Sequence, residues 1–213
     1  MLPNKKPRCP RCRLHAELCL CELCPRLELK TRVVVVMHAQ EFEKPSNTGR
    51  LASLCLPNSE IRLRGVYKGP ALSLDGLVDD DYETWMLCLS DRSEELTPEV
   101  AASAKKSVRL LVPDGTWPQA SRTGSMLARQ LPASVRHVKL GLGAPSEYRL
   151  RTEHLAEGLA TFEAISRALG MLESAEVESK LLDLFRIMTD RMMYMRGKLA
   201  AGDVRGGIPG ANT

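Results

Sequence analysis

The sequence predicts an α/β fold, a mostly parallel sheet with flanking helices, preceded by a small cysteine-rich segment. Three observations carry that expectation. Val33-Val34-Val35-Val36-Met37 is apolar and β-branched without alternation, the pattern of a strand buried on both faces. Ser46-Asn47-Thr48 follows it with helix-capping chemistry, so strand passes to helix. Aromatic residues make up only 4% of the 213 residues against 44% apolar, so Leu, Val, Ile, Met and Ala must fill the core, which suits helices on a sheet better than a β-sandwich.

The remaining elements follow in order. A helix is expected from Gly49 to Leu56, then strands at Ile61–Tyr67 and Thr84–Leu89, a helix at Pro98–Lys106 and a strand at Val108–Pro113. Trp117–Gln130 reads as a helix, with Pro118 acceptable in its first turn. Val135–Leu140 is the last strand, and Gly141–Tyr148 a linker. Glu157–Leu172 and Glu176–Lys198 show helical spacing, the second through Leu181, Leu182, Phe185, Met188, Met192 and Met195, a stripe best explained as core packing. Four Gly and one Pro in Gly202–Thr213 predict a disordered tail. The domain reading is therefore a metal-binding segment over 1–28, a main domain over 29–199 and a tail over 200–213.

Charge is polarised. The formal net charge is only +4. Residues 1–32 nevertheless carry eight basic side chains against three acidic ones, and Ser121–Leu140 holds Arg122, Arg129, Arg136 and Lys139 without an acid. Asp75–Glu99 is strongly acidic. A phosphate-binding face needs such a separation, although a solvated surface produces charge runs too. No apolar run reaches the ~20 residues that span a bilayer, and no signal-like stretch opens the chain, so the expected setting is cytoplasmic and reducing.

In that setting the clustered thiols read as metal ligands rather than disulfides. Cys9-Pro10-Arg11-Cys12 is followed by Cys19-Leu20-Cys21 and Cys24. Two thiol pairs converging on one tetrahedral ion form a structural zinc knuckle. Cys9, Cys12, Cys19 and Cys21 are one ligand set; Cys24 in place of Cys21 is the other. Cys55 and Cys88 lie in apolar segments and read as buried small hydrophobes.

Leu111-Val112-Pro113-Asp114-Gly115-Thr116-Trp117 places a carboxylate and an indole at the carboxyl end of a predicted strand, where open parallel sheets bind ligands. Desolvation there raises a carboxylate's pKa and suits Asp114 to accept a proton; capping a helix is its other role. His38-x-x-Glu41 ends another strand but lacks a third metal ligand. Glu157-Gly158 and Thr161-x-Glu163 sit near a helix start, where backbone N–H groups hold anions or where ordinary capping occurs. Phosphate-loop and nucleophile-elbow signatures are absent.

In this order the motifs resemble the DTW-domain family, the tRNA-uridine aminocarboxypropyltransferases. The resemblance rests on the paired cysteines, Asn-Thr-Gly-Arg-Leu at 47–51, Asp-Gly-Thr-Trp at 114–117, Tyr-Arg-Leu-Arg at 148–151 and Thr-Phe-Glu-Ala at 161–164. It implies a fold related to the SPOUT methyltransferases, with a knotted C-terminal part that holds S-adenosylmethionine. It also implies transfer of the 3-amino-3-carboxypropyl group of that co-substrate to N3 of a tRNA uridine, releasing methylthioadenosine. On this reading Asp114 accepts the N3 proton, and Trp117 stacks on the base or walls the cofactor. Thr116, Tyr148, Gly158, Thr161 and Glu163 are assigned to the cofactor, and Asn47, Arg50, Arg149 and Arg151 to the substrate. A SPOUT-type RNA methyltransferase differs in the carbon transferred, and a non-catalytic zinc-knuckle RNA-binding protein consumes no S-adenosylmethionine.

Overall fold

The computed structural model describes residues 7–150 and 158–210. The cysteine-rich segment carries two short 3-10 turns, Ala16–Leu18 and Cys21–Leu23. The chain then forms β1 (Arg32–His38), α1 (Ala39–Phe42), α2 (Leu51–Cys55), β2 (Ser59–Arg64), β3 (Glu83–Leu87), β4 (Glu94–Glu95) and α3 (Pro98–Ala102). After these come β5 (Val108–Asp114), α4 (Trp117–Gln130), β6 (Arg136–Lys139), α5 (Thr161–Leu172) and α6 (Ala175–Met195).

All six strands join one parallel sheet in the order β2-β1-β5-β3-β6-β4. Both late strands enter between earlier ones: β5 between β1 and β3, and β6 between β3 and β4. β1 and β5 lie in register at the centre, Val34 opposite Leu111 and Met37 opposite Asp114. Their side chains alternate between two apolar layers, which is why neither strand alternates apolar with polar. Val33, Val35, Leu110 and Val112 share one layer with α2, α5 and α6, while Val34, Val36 and Leu111 meet Leu127 of α4 on the other.

The cysteine-rich segment is not a free appendage. Cys12, Leu14, Leu18 and Leu20 are buried in the larger layer, together with Phe185 and Met188 of α6. The methionine stripe of α6 is core packing, with Met188 and Met192 buried.

Element ends differ from expectation for local reasons. The helix from Pro98 stops at Ala102 because Glu83 Oε1 accepts the Lys105 and Lys106 N–H groups, turning the chain into β5. The next-to-last helix starts at Thr161, with the Ala160 N–H donated to Glu163 Oε2 at 2.9 Å. β4 comprises two glutamates within the acidic stretch, too short and too charged for the sequence to show.

The described part of the tail, residues 202–210, is ordered against the expectation of disorder, and 211–213 lie outside the described residues. Val204 is buried, and residues Ala201–Asp203 form a 3-10 turn. The cause is Arg191, a fully buried guanidinium on α6. Its Nη2 donates to the carbonyls of Gly206 at 3.4 Å and Gly207 at 2.9 Å. Its Nη1 donates to the carbonyls of Leu18, at 3.3 Å, and Cys19. One side chain thus fastens the cysteine-rich segment and the 206–207 turn to the last helix. Among the described residues no helix is long and apolar enough to cross a membrane.

Arg191→Met keeps the aliphatic stem and removes these donors, so the unfolding free energy is expected to fall by about 2–3 kcal/mol, read as a lower urea midpoint at unchanged m. Limited proteolysis should then cut the tail first. An unchanged midpoint with a protected tail would show that the arginine is not the tie.

Candidate active site and metal centre

A cavity of about 970 Å³ opens at the carboxyl ends of β3, β5 and β6, bounded by Leu87, Val112, Asp114, Trp117, Lys139 and Thr161 among others. Asp114, the last residue of β5, stands on its wall although only 2% of its surface is exposed. Asn47 Nδ2 donates to Asp114 Oδ2 at 2.6 Å, and Thr161 Oγ1 donates to Oδ1. Asn47 Oδ1 accepts the Arg50 N–H at 3.1 Å, which fixes the amide with its donor end toward the carboxylate. Gly49 allows the close approach, since a Cβ there would lie 3.1 Å from Asp114 Cγ. Burial pushes the Asp114 carboxyl above its usual range, against the pull of the Thr161 and Asn47 hydrogen bonds and with the neighbouring Glu41 adding to the rise. A buried, oriented carboxylate on a cavity wall can take up or hand over a proton.

The groups that hold Asp114 are themselves fastened. Thr161 is the first residue of α5, and Glu163, fully buried one turn in, accepts from Ala160 N–H, from Glu147 N–H at 2.7 Å and from Ser146 Oγ at 2.5 Å. Tyr148, on the same loop, donates its hydroxyl to the Ser46 carbonyl at 2.7 Å, next to Asn47. The loop of Asn47, the start of α5 and the 146–148 segment therefore form one hydrogen-bonded collar around the carboxylate.

Of the residues expected at the site, Asn47, Asp114, Thr116, Trp117, Tyr148 and Thr161 line the cavity. Thr116 caps α4, its N–H donated to Gln119 Oε1 at 2.8 Å, so the helix cap is Thr116 and not Asp114. Four others are off the wall. Arg50 is buried against the Phe42 ring at 5.4 Å, desolvation drawing its pKa down. Arg149 pairs with the buried Asp190. Glu163 has its oxygens engaged by the collar, and Gly158 is buried off the wall. Arg151 lies outside the described residues.

Arg92, His137 and Arg167 line the cavity without having been singled out, joined there by Arg129 and Lys139 of the basic cluster. Two-residue alternation in β6 was the available signal: Val138 enters the core while His137 and Lys139 face the cavity. Arg136, on the other face, is taken up by Glu94 and by Ser103 Oγ at 2.7 Å, and lies 4.7 Å from the Trp85 ring. The basic 122–139 cluster thus divides between cavity and scaffold. Burial holds His137 below its usual pKa, with the Arg92 charge adding to the effect. Cys88 is half-buried, packed against the smaller apolar layer and also lining the cavity, its Sγ 3.6 Å from Ser93 Oγ.

The thiols of Cys9, Cys12, Cys19 and Cys21 all lie within 4.8 Å of one another. Cys9 and Cys21 sulfurs are 3.7 Å apart, and those of Cys12 and Cys19 are 3.9 Å apart. A zinc tetrahedron with Zn–S near ~2.3 Å has edges of about 3.8 Å, which the Cys9–Cys21 and Cys12–Cys19 pairs match, and the four thiols are close enough together to share one ion. Arg13, in a left-handed turn at φ 64°, closes the first Cys-x-x-Cys with its N–H on the Cys9 carbonyl at 2.9 Å. The Cys24 thiol instead donates to the Leu20 carbonyl at 3.6 Å, and the cluster of four thiols includes Cys21 and not Cys24.

Residues 6–193 match the DTW domain, and the chain belongs to the DTW domain family. It is similar to tRNA-uridine aminocarboxypropyltransferase 2 of Macaca fascicularis, with 26% identity over 177 residues, covering 80% of this chain and 58% of that protein. With the protein of the same name from Drosophila melanogaster it shares 29% over 183 residues, covering 81% of this chain and 69% of the relative. The chain thus spans little more than half the length of the macaque relative. In fold it is similar to the SAM-dependent rRNA:acp-transferase Tsr3 from Vulcanisaeta distributa, with a TM-score of 0.50 and 15% identity over 83% of this chain and 86% of that one.

Cys21→Ser is expected to lower bound zinc well below one equivalent after desalting, measured by elemental analysis, whereas Cys24→Ser retains it. The reverse pattern would place Cys24 in the ligand set.

Proposed function

We propose that this chain is a tRNA-uridine aminocarboxypropyltransferase that moves the 3-amino-3-carboxypropyl group of S-adenosylmethionine to N3 of a tRNA uridine. The observation that carries this reading is the buried Asp114 carboxylate, clamped by Asn47 and Thr161 on the wall of a large cavity at the carboxyl edge of the sheet. Membership of the DTW family and the names of the curated relatives support it. A cytoplasmic setting belongs to the same proposal, as tRNA is the substrate.

The cavity fits two partners. Its volume lies at the upper end of small-molecule sites, enough for a nucleoside-based co-substrate beside one base. Leu87, Val112, Pro113 and Leu140 supply apolar wall for flat rings, and Lys139, Arg92 and Arg167 supply positive charge for a carboxylate or phosphate. S-adenosylmethionine brings a sulfonium that activates each of its three attached carbons, so the protein selects the product by the carbon it presents to the nucleophile.

Asp114 supplies the proton acceptor. Uridine N3–H is a weak acid, and the carboxylate takes its proton as N3 bonds to the methylene carbon of the aminocarboxypropyl arm. The carbon–sulfur bond breaks, its electron pair returns to sulfur, and the thioether methylthioadenosine leaves. Asn47 and Thr161 hold the carboxylate in place throughout, so little reorganisation accompanies the transfer. Thr116, Trp117 and Tyr148 remain on the wall to orient base and co-substrate. Cys9, Cys12, Cys19 and Cys21 would hold a zinc ion, which would serve as a folding element of the knuckle and take no part in the transfer.

Incubating the chain with S-adenosylmethionine and unmodified tRNA should yield methylthioadenosine and an aminocarboxypropyl-uridine in nucleoside mass spectrometry. S-adenosylhomocysteine with a methylated nucleoside would assign it to methyl transfer instead. Asp114→Asn should lower the single-turnover rate by about 10²- to 10⁴-fold with co-substrate binding retained. The base must be ionised and burial raises its pKa, so the wild-type rate should climb with pH through an ionisation above the ordinary carboxylate value of ~3.9 and then level off. The same group opposes folding as pH rises: the folded chain holds this proton more tightly than the unfolded one, so its favourable contribution is present at low pH and lost through the folded pKa. A flat pH–rate profile, or an Asn variant at the parental rate, removes Asp114 from the base role.

A further inference from the structure

Among the described residues, six large apolar side chains are exposed: Leu23, Val66, Tyr67, Leu89, Trp117 and Leu142. Leu23 belongs to the knuckle. The other five follow strand ends at one edge of the molecule: Val66 and Tyr67 after β2, Leu89 after β3, Trp117 after β5 and Leu142 after β6. In a parallel sheet these carboxyl ends share one edge, the one onto which the cavity opens. Scattered apolar exposure needs no explanation, but five residues gathered on one rim do.

Basic residues stand at three of these strand ends: Lys68 follows β2, Arg92 follows β3 and Lys139 closes β6, alongside the acids Asp91 after β3 and Asp114 at the end of β5. Asp79, Asp80 and Asp81 precede β3 and so fall toward the opposite edge. An apolar rim with this charge suits a partner presenting flat rings and phosphates together.

Tyr67 is the most exposed of the group, at 87%. Its presentation is built into the backbone. Gly65 turns at φ 73°, where a Cβ would also meet His38 Nε2 at 3.2 Å. Lys68 is left-handed at φ 53°, and Gly69 N–H closes the turn on the Val66 carbonyl at 3.1 Å. The ring therefore stands at the tip of a tight turn, with Lys68 Nζ 5.5 Å from its centroid. β2 lies two strands from β5, about 10 Å along the edge, or three stacked base steps of ~3.4 Å.

We propose that the carboxyl edge of the sheet is the docking face for an unpaired RNA loop, and that Tyr67 stacks on a nucleotide about three steps along that loop from the one in the cavity. This rests on the reading that the substrate is RNA and adds a second, separate recognition point. Base–aromatic stacking tolerates any sequence, and an adjacent cation strengthens it.

The test is fluorescence anisotropy of labelled unfractionated tRNA with the full chain and its Tyr67→Ala, Tyr67→Phe and Lys68→Ala variants at several salt concentrations. Tyr67→Ala should weaken binding about 5- to 100-fold with the salt slope unchanged, because no phosphate contact is lost. Tyr67→Phe should bind within about twofold of wild type, as the stacking ring remains. Lys68→Ala should reduce the salt slope by about one. Tyr67→Ala binding tRNA like the wild type would overturn the proposal and leave this face for a protein partner. Equal losses in the Ala and Phe variants would also overturn it, by locating the effect in the hydroxyl. Retention of tRNA with no methylthioadenosine formed would instead sink the transferase reading, while the Ala-to-wild-type ratio still decides the role of Tyr67.

Discussion

The site depends on one buried carboxylate held from two sides. Asp114 ends β5, Asn47 comes from the loop after β1, and Thr161 opens α5, so the two hydrogen bonds to its oxygens join three distant parts of the chain. A carboxylate removed from water is unfavourable unless its charge is solvated by protein donors. Asn47 and Thr161 provide that solvation, while burial keeps the proton affinity high. The arrangement is useful for chemistry because those two influences oppose each other: the group is stable enough to be there and basic enough to act.

Everything around it serves to keep those donors in place. Glu163 and Tyr148 pin the 146–148 loop to α5 and to Ser46, and the parallel register sets Asp114 beside Met37 at the edge where the cavity opens. Farther out, Arg191 joins the knuckle and the tail to α6, which packs against α5. The tetrathiol centre is thus tied through Arg191 and α6 to the helix that begins at Thr161.

The fold was legible where a single physical pattern dominates. The Val33–Met37 run reads as a strand buried on both sides, and Pro118 in a first turn marks the start of α4, although its cap is Thr116 where the sequence offers Asp114. Cys-x-x-Cys followed by Cys-x-Cys announced the metal centre, but choosing Cys21 over Cys24 required the three-dimensional path, which turns Cys24 toward the Leu20 carbonyl. Order in the tail was illegible because its anchor, Arg191, lies on another element and looks like any helical arginine. Proximity in sequence does not carry over to the cavity wall: Arg50 and Arg149 sit beside cavity residues, yet one is buried against Phe42 and the other paired with Asp190. Lys139 and His137 show the converse, since strand alternation points them into the cavity while Arg136 between Val135 and His137 is given to the scaffold.

The most direct measurement is a crystal structure of the full chain soaked with S-adenosylmethionine or its non-reactive aza analogue. The account predicts the ligand in the cavity at the ends of β3, β5 and β6, with the methylene of its amino-acid arm turned to the open space beside Asp114. A ligand bound outside that cavity, or bound within it with its methyl group turned to that space, would contradict the account.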